Sequence, residues 1–342
     1  MKSKLSILCI LLVTASLCAF ASEPPKYRIL QHFAVGGEGF WDYLVFDSQG
    51  HRLFITRGTH VIVLDPDTGK QTGEIPNTDG VHGVALVPEL GVGLTSNGRA
   101  NTVTIFDLKT LKPKGEVRTG TNPDAIMYDP ASKRVFAFDG RSQEATVIDP
   151  AKAAAIGTIP LGGKPEFGVS DEKGHVFVNI EDKSEIAEID SRNMKVLAKW
   201  PLAPCEEPSG LAIDKNNGRL FAVCSNQKMA VVDSSTGKVV ATVPIGRRPD
   251  AAAFDRDTQL VFSSNGEGNL TVVHQDSPDQ YTVLQTLDTA VGARTMALDP
   301  ATHKIYLVTA KFGPPPAPTA EQPHPRPTML ANSFEVIVVG PK

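Results

Sequence analysis

The chain predicts an all-β, seven-bladed propeller with four antiparallel strands per blade. One four-strand unit recurs seven times, its period stays between 40 and 44 residues, and its hairpins carry Asp and Gly at fixed offsets. The clearest copy, Ser209 to Asp250, reads SGLAIDKNNGRLFAVCSNQKMAVVDSSTGKVVATVPIGRRPD. It contains a strand, an Asp-rich turn, a second strand, a third strand ending in Asp, and a final strand.

The register is countable. The position closing each first strand falls at Asp47, Val87, Asp129, Asp171, Asp214, Asp255 and Asp299, in steps of 40, 42, 42, 43, 41 and 44. A second marker, the aspartate ending the third strand, recurs at Asp65, Asp107, Asp149, Asp190 and Asp233, with His274 in the sixth place. Such strands are short, β-branched and bounded by Asn, Asp, Gly and Pro. A single blade cannot bury both of its faces, so stability belongs to the stacked ring. With 29 Gly, 26 Pro and 41% hydrophobic residues in 342, the composition fits one turn-rich β domain.

Residues 1–21 stand apart. Lys2 and Lys4 precede an apolar run from Leu5 to Phe20, and Ala19-Phe20-Ala21 predicts a signal peptide cut ahead of Ser22. Leu17 before Cys18 argues against lipid attachment. The remaining residues, 22–342, form one propeller domain, expected to be periplasmic or secreted and monomeric. No later stretch approaches the ~20 apolar residues of a membrane span. Losing two lysines takes the net charge from −4 to −6, and with no basic stripe this argues against a nucleic-acid partner.

The segment YRILQHF, residues 27–33, has the form of a fourth strand but precedes the first full unit. The seventh unit supplies TMALD, KIYLVTA and, after an interruption, SFEVIVV, but no fourth strand. Residues 27–33 are therefore expected to complete the last blade and remove its open edge. The interruption, residues 311–332, is too rich in proline to pair in a sheet and is expected to form a lid, a docking segment or a stiff cover over the rim.

Cys205 and Cys224 outlast signal removal. They lie at one rim of neighbouring strands of the fifth unit, which predicts a disulfide. The alternative, a two-thiolate metal or redox site, lacks nearby Cys or His at zinc-like spacing.

The run MAVVDSSTGKVVATVPIGRRPDAAAFD resembles the repeat of the YVTN, or YncE-like, propeller family, and LFITRG, VFVNIED, LFAVCSN and VFSSNG occupy its Tyr-Val-Thr-Asn position. The resemblance covers residues 22–342 and implies the fold. It implies no activity, because the family's surface-layer, periplasmic and cofactor-associated members share no catalytic motif.

First strands line a propeller's axis, so the residue five before each closing position should face one channel mouth. These are Asp42, His82, Asp124, Glu166, Ser209, Asp250 and Arg294. Four acids and one Arg leave about −3 there, raising carboxyl pKa values unless a cation binds. His82, Asp124 and Glu166 are the candidate metal ligands: oxygen donors favour calcium or magnesium, whereas His82 would admit zinc. Second-strand ends add Arg57, Asn97, Asp139 and Asn265, and Trp41 should give an aromatic wall. The set suits a small polar ligand with a carboxylate for Arg57 or Arg294, a cation, or a protein partner. The competing expectation is a lactonase-like metal-dependent hydrolase or lyase. No catalytic residue is assignable, and no C-x-x-C-H haem sequence is present.

Overall fold

A computed structural model describes residues 24–319, 325 and 327–342. The expected signal peptide at 1–21 lies outside them. The hairpin joining the third and fourth strands shows how the repeat builds itself. Asp65 Oδ1 accepts from the backbone N–H groups of Asp67 and Thr68 at 3.0 and 2.9 Å, and Asp107 does the same for Lys109 and Thr110. Asp149, Asp190 and Asp233 repeat the arrangement. Each carboxylate replaces ladder bonds that the turn cannot make, so the strand ends there. Four residues after the last of these, Gly237 has φ +70°, and a Cβ there would lie 2.1 Å from Trp200 Cγ. Position 237 must therefore be glycine.

Seven antiparallel sheets of four strands each result. One hydrophobic cluster sits at each blade interface. Leu53, Ile62, Tyr306 and Val336 join the last blade to the first, for example, and Phe177, Ile186, Leu220 and Val232 join the fourth to the fifth. Burial thus lies between sheets, and no blade holds a core alone.

The last blade is closed as expected. Strand Tyr27–Ala34 pairs antiparallel with Glu335–Pro341, beside Lys304–Thr309 and Met296–Asp299. Tyr27 also donates its hydroxyl to His303 O at 3.0 Å, pinning the first strand to a hairpin of that blade. Cys205 and Cys224 form the disulfide, with 5.7 Å between their Cα atoms.

Two departures from repetition have local causes. In the sixth blade His274 replaces the turn aspartate, so the third strand runs on through Asn269–Ser277 and pairs with an equally extended Gln280–Asp288. The proline-rich insertion does pair at its base, against expectation. Gly313 N donates to Thr328 O at 2.9 Å and Leu330 N to Lys311 O at 2.8 Å, because proline is absent from those four positions.

Candidate functional site

The strands that line the axis are irregular where it matters. In blades two to six the register of first and second strands shifts across His82, Asp124, Glu166, Ser209 and Asp250. A bulge turns one side chain out of the alternation, and here it turns five toward one mouth. In the first and last blades Asp42 and Arg294 just precede strands Leu44–Asp47 and Met296–Asp299. The backbone behind the ring is held by the preceding blade. Thr295 Oγ1 donates to Asp42 O at 2.8 Å, Asn179 Nδ2 to Ser209 O at 2.9 Å, and Ser209 Oγ to Pro249 O at 2.9 Å.

The ring residues meet in pairs. His82 Nδ1 lies 2.6 Å from Asp42 Oδ2 and 3.6 Å from Asp124 Oδ1. Arg294 stands between two acids, with Nε 3.1 Å from Asp250 Oδ2 and Nη2 3.6 Å from Asp42 Oδ1. Glu166 Oε1 takes Lys164 Nζ at 2.6 Å. Lys164 also contacts Glu181. Counting Lys164, its second partner Glu181 and a protonated His82, three cations face five carboxylates, a formal balance of −2 and not the −3 expected from strand positions alone.

Burial dominates the electrostatics. It pushes Asp124, Glu166 and Asp250 above the ordinary carboxylate range, with neighbouring acids adding to the effect and His82, Lys164 and Arg294 opposing it. For His82 burial works against charge, but the Asp42 hydrogen bond and the fields of Asp124, Asp42 and Glu166 outweigh it and carry the imidazole up to about 9.

The channel does not run straight through. Tyr43 of the first blade makes an edge contact with Phe167 of the fourth, ring centres 5.3 Å apart, and packs among residues of the third and fourth blades. Blades three places apart in a ring of seven touch only across the axis. Tyr43 and Phe167 therefore form a floor beneath the mouth.

The second-strand ends lie elsewhere than expected. Arg57 is 1% exposed, donates to Gly36 O and Gly39 O, and lies 3.7 Å from the Phe334 ring centre. It clamps the N-terminal loop and does not reach the mouth. Asn97 is buried on Thr102 and Thr104, and Asn265 on Asn269 and Thr271. Asp139 is buried with Oδ2 on Thr146 Oγ1 at 2.6 Å. These side chains close the ends of their own hairpins, because strand alternation turns them into the blade. Trp41 borders the mouth but leans on Phe312 and Phe334, at 6.0 and 5.4 Å between ring centres.

The metal triad is also rearranged. The groups whose ligand atoms lie within 4.8 Å of one another are Asp42, His82 and Asp124. Glu166 is turned to Lys164 and does not join them.

Beside the ring, a pocket of about 600 Å³ runs over the first three blades. Phe40 and Trp41 line one side, Arg99 and Arg141 another, and Asp42, His82 and Arg294 join it to the axis. Arg99 is paired with Asp79 at 2.9 Å. Arg141 has no ion-pair partner among the described residues. A second pocket, of about 560 Å³, opens among hairpins of the opposite face. Its Asp171, Asp214 and Asp255 are committed to amides of their own turns.

No family model matches the chain. The uncharacterized protein YncE of Salmonella typhi is 23% identical over 223 residues, and so is that of Salmonella typhimurium strain LT2. The matched region is 62% of this chain, and the chain spans 62% of the length of these curated relatives. Together with seven four-stranded blades, that likeness decides the type. The chain is a YncE-like propeller. Among solved structures, Kuenenia stuttgartiensis hydrazine synthase superposes with a TM-score of 0.67 at 17% identity, covering 78% of this chain and 91% of that one. The structure of U3-55K gives 0.72 at 12% identity, covering 92% and 99%. At these identities the two structures show the fold alone.

Two residues of the YncE-like mouth escape a count of strand positions. Lys164 lies two before Glu166, and Tyr43 follows Asp42. The alternation of Lys164 and Glu166 about Pro165 was a usable signal for the first. Nothing local marks Tyr43, whose neighbour across the axis comes from another blade.

Proposed function

We propose that this YncE-like propeller is an exported, non-catalytic binding protein that holds a small polar organic ligand at the charged mouth. The pocket of about 600 Å³ beside the ring carries the reading. It offers a flat aromatic side at Phe40 and Trp41 and, at its lip, Arg141, an arginine with no ion-pair partner among the described residues. A guanidinium free of internal partners takes a carboxylate or similar anion, and the aromatic side takes the ligand's apolar part. The signal-like pattern of residues 1–21 supports export. The reading is tested by calorimetric titration of carboxylic acids into wild type, Arg141→Ala and Arg294→Ala. Loss of binding in Arg141→Ala with unchanged melting is expected; equal binding by all three proteins would refute it.

A second reading, a metal-dependent hydrolase or lyase, is favoured by one observation, the approach of Asp42, His82 and Asp124 to within 4.8 Å. A His with two carboxylates suits zinc, manganese or iron better than calcium. It would require His82 to release its proton to solvent as the metal takes its ring nitrogen. Elemental analysis of untagged protein tests it, with stoichiometric metal lost in Asp124→Ala as the supporting result.

A further inference from the structure

Phe40 lines two cavities. One is the charged pocket over the first three blades, and the other is a cleft of about 340 Å³ whose remaining walls are Gly39, Pro327, Thr328 and Met329. Both sides of the cleft are fixed. Arg57 holds the Phe40 loop by its hydrogen bonds to Gly36 O and Gly39 O, and the opposite side is the paired base of the proline-rich insertion, where Gly313 N donates to Thr328 O and Leu330 N to Lys311 O. The two cavities differ in charge. The pocket has Arg99, Arg141, Arg294 and His82 against one carboxylate, Asp42, whereas the cleft has no ionisable side chain among the described residues and a single polar one, Thr328. Large apolar side chains gather around it. Phe40 is 56% exposed, Phe312 40% and Leu330 48%; Trp41, beside Phe40, rests on the Phe312 ring, and Phe312 pairs with Met329. Hydrophobic residues scattered singly over a surface need no explanation, but a group of them around a preformed cleft marks a binding surface.

We infer that the ligand proposed above is an amphiphilic carboxylate, whose anion sits among the arginines of the pocket and whose unbranched apolar chain crosses Phe40 into the cleft beside Met329. The inference rests on the binding reading and adds the class of ligand. A small anion alone would leave the cleft unused, and a neutral apolar molecule would leave the arginines unused. Because Phe40 borders both cavities, one molecule can occupy them together. A chain in the cleft takes its own methylenes out of water along with the faces of Phe40 and Met329. Neither side of the cleft has to be ordered for binding, so most of that gain appears as affinity. A peptide strand suits the cleft less well, since Thr328 O and Leu330 N are already bonded within the insertion.

Calorimetric titration of sodium butanoate, hexanoate and octanoate at neutral pH tests the inference apart from the reading beneath it. In wild type the affinity should rise by about two- to fourfold for each added methylene. Phe40→Ser and Met329→Gln, each checked for native melting, should flatten that rise, so that octanoate loses about tenfold or more relative to butanoate. Octylammonium chloride, with the same chain and the opposite head charge, should bind about tenfold more weakly than octanoate or worse. The inference falls if butanoate and octanoate bind equally, if the rise survives in both variants, or if octylammonium matches octanoate. In each of those cases, butanoate that binds wild type but not Arg141→Ala keeps the pocket reading. Acids that all bind Arg141→Ala as tightly as wild type remove that reading instead.

Discussion

His82 Nδ1 and Asp42 Oδ2, 2.6 Å apart, join the axial segments of the first two blades. The folded imidazole titrates near 9, above its ordinary 6.5. Its contribution to stability is therefore complete below about pH 6.5 and lost as pH rises through about 9. Replacing His82 with Gln should cost on the order of 2 kcal/mol at pH 6 and almost nothing at pH 10. Thermal unfolding of both proteins across that range measures it. A deficit that stays constant with pH would show that packing, and not the charge pair, holds the two blades.

Arg57→Ala should act on stability and not on ligand. It removes three hydrogen bonds to the carbonyls of Gly36 and Gly39 and a ring contact with Phe334. Leaving those carbonyls unpaired should cost about 3 kcal/mol or more, read as a lower denaturant midpoint. Arg141→Ala should show the reverse pattern, with unchanged melting and lost anion binding.

Asp139 offers a stabilising change. Burial lifts its carboxyl from 3.8 to about 6, and Oδ1 has no partner. A carboxyl raised in this way favours the folded protein below about pH 3.8 and loses that advantage as pH rises through about 6. Asp139→Asn, which restores the amide found at Asn97 and Asn265, should therefore be neutral at pH 4 and gain on the order of 2 kcal/mol at pH 8. Equal melting temperatures at pH 8 would contradict this.

The Cys205–Cys224 bond closes a short loop, the two residues being 19 apart. Reduction, or the Cys205→Ala, Cys224→Ala double change, should cost ~3 kcal/mol. Only the wild type should then respond to dithiothreitol in thermal unfolding.

What could be read in advance follows the range of the forces involved. Asp65, Asp107 and Asp233 act on amides two and three residues away, so the hairpins, the blade count and the completing strand at residues 27–33 were legible. The ring of Asp42, His82, Asp124, Glu166, Asp250 and Arg294 was legible too, because its position, five before each first-strand end, repeats with the period. Partners were not. Lys164 reaches Glu166 from the other side of Pro165, and Tyr43 meets Phe167 only after the two intervening blades have been stacked. The side chains of Arg57, Asn97 and Asn265 sit at the expected strand ends, but which way they turn depends on carbonyls and hydroxyls that no spacing announces.

The strand from Tyr27 that completes the last blade makes the backbone's course nearly circular. Lys342 N donates to Lys26 O at 2.9 Å, so chemically distant residues are neighbours in space. A gene rearranged to begin at any inter-blade connection, with a short linker from Lys342 to Lys26, would encode the same seven interfaces. In such a permutant the last blade would be contiguous in the chain and no blade would be split. Because loop-closure entropy grows only with the logarithm of length, every choice of opening point should fold to nearly equal stability. The ring has one seam, and it lies inside the last blade, between Tyr27–Ala34 and Glu335–Pro341.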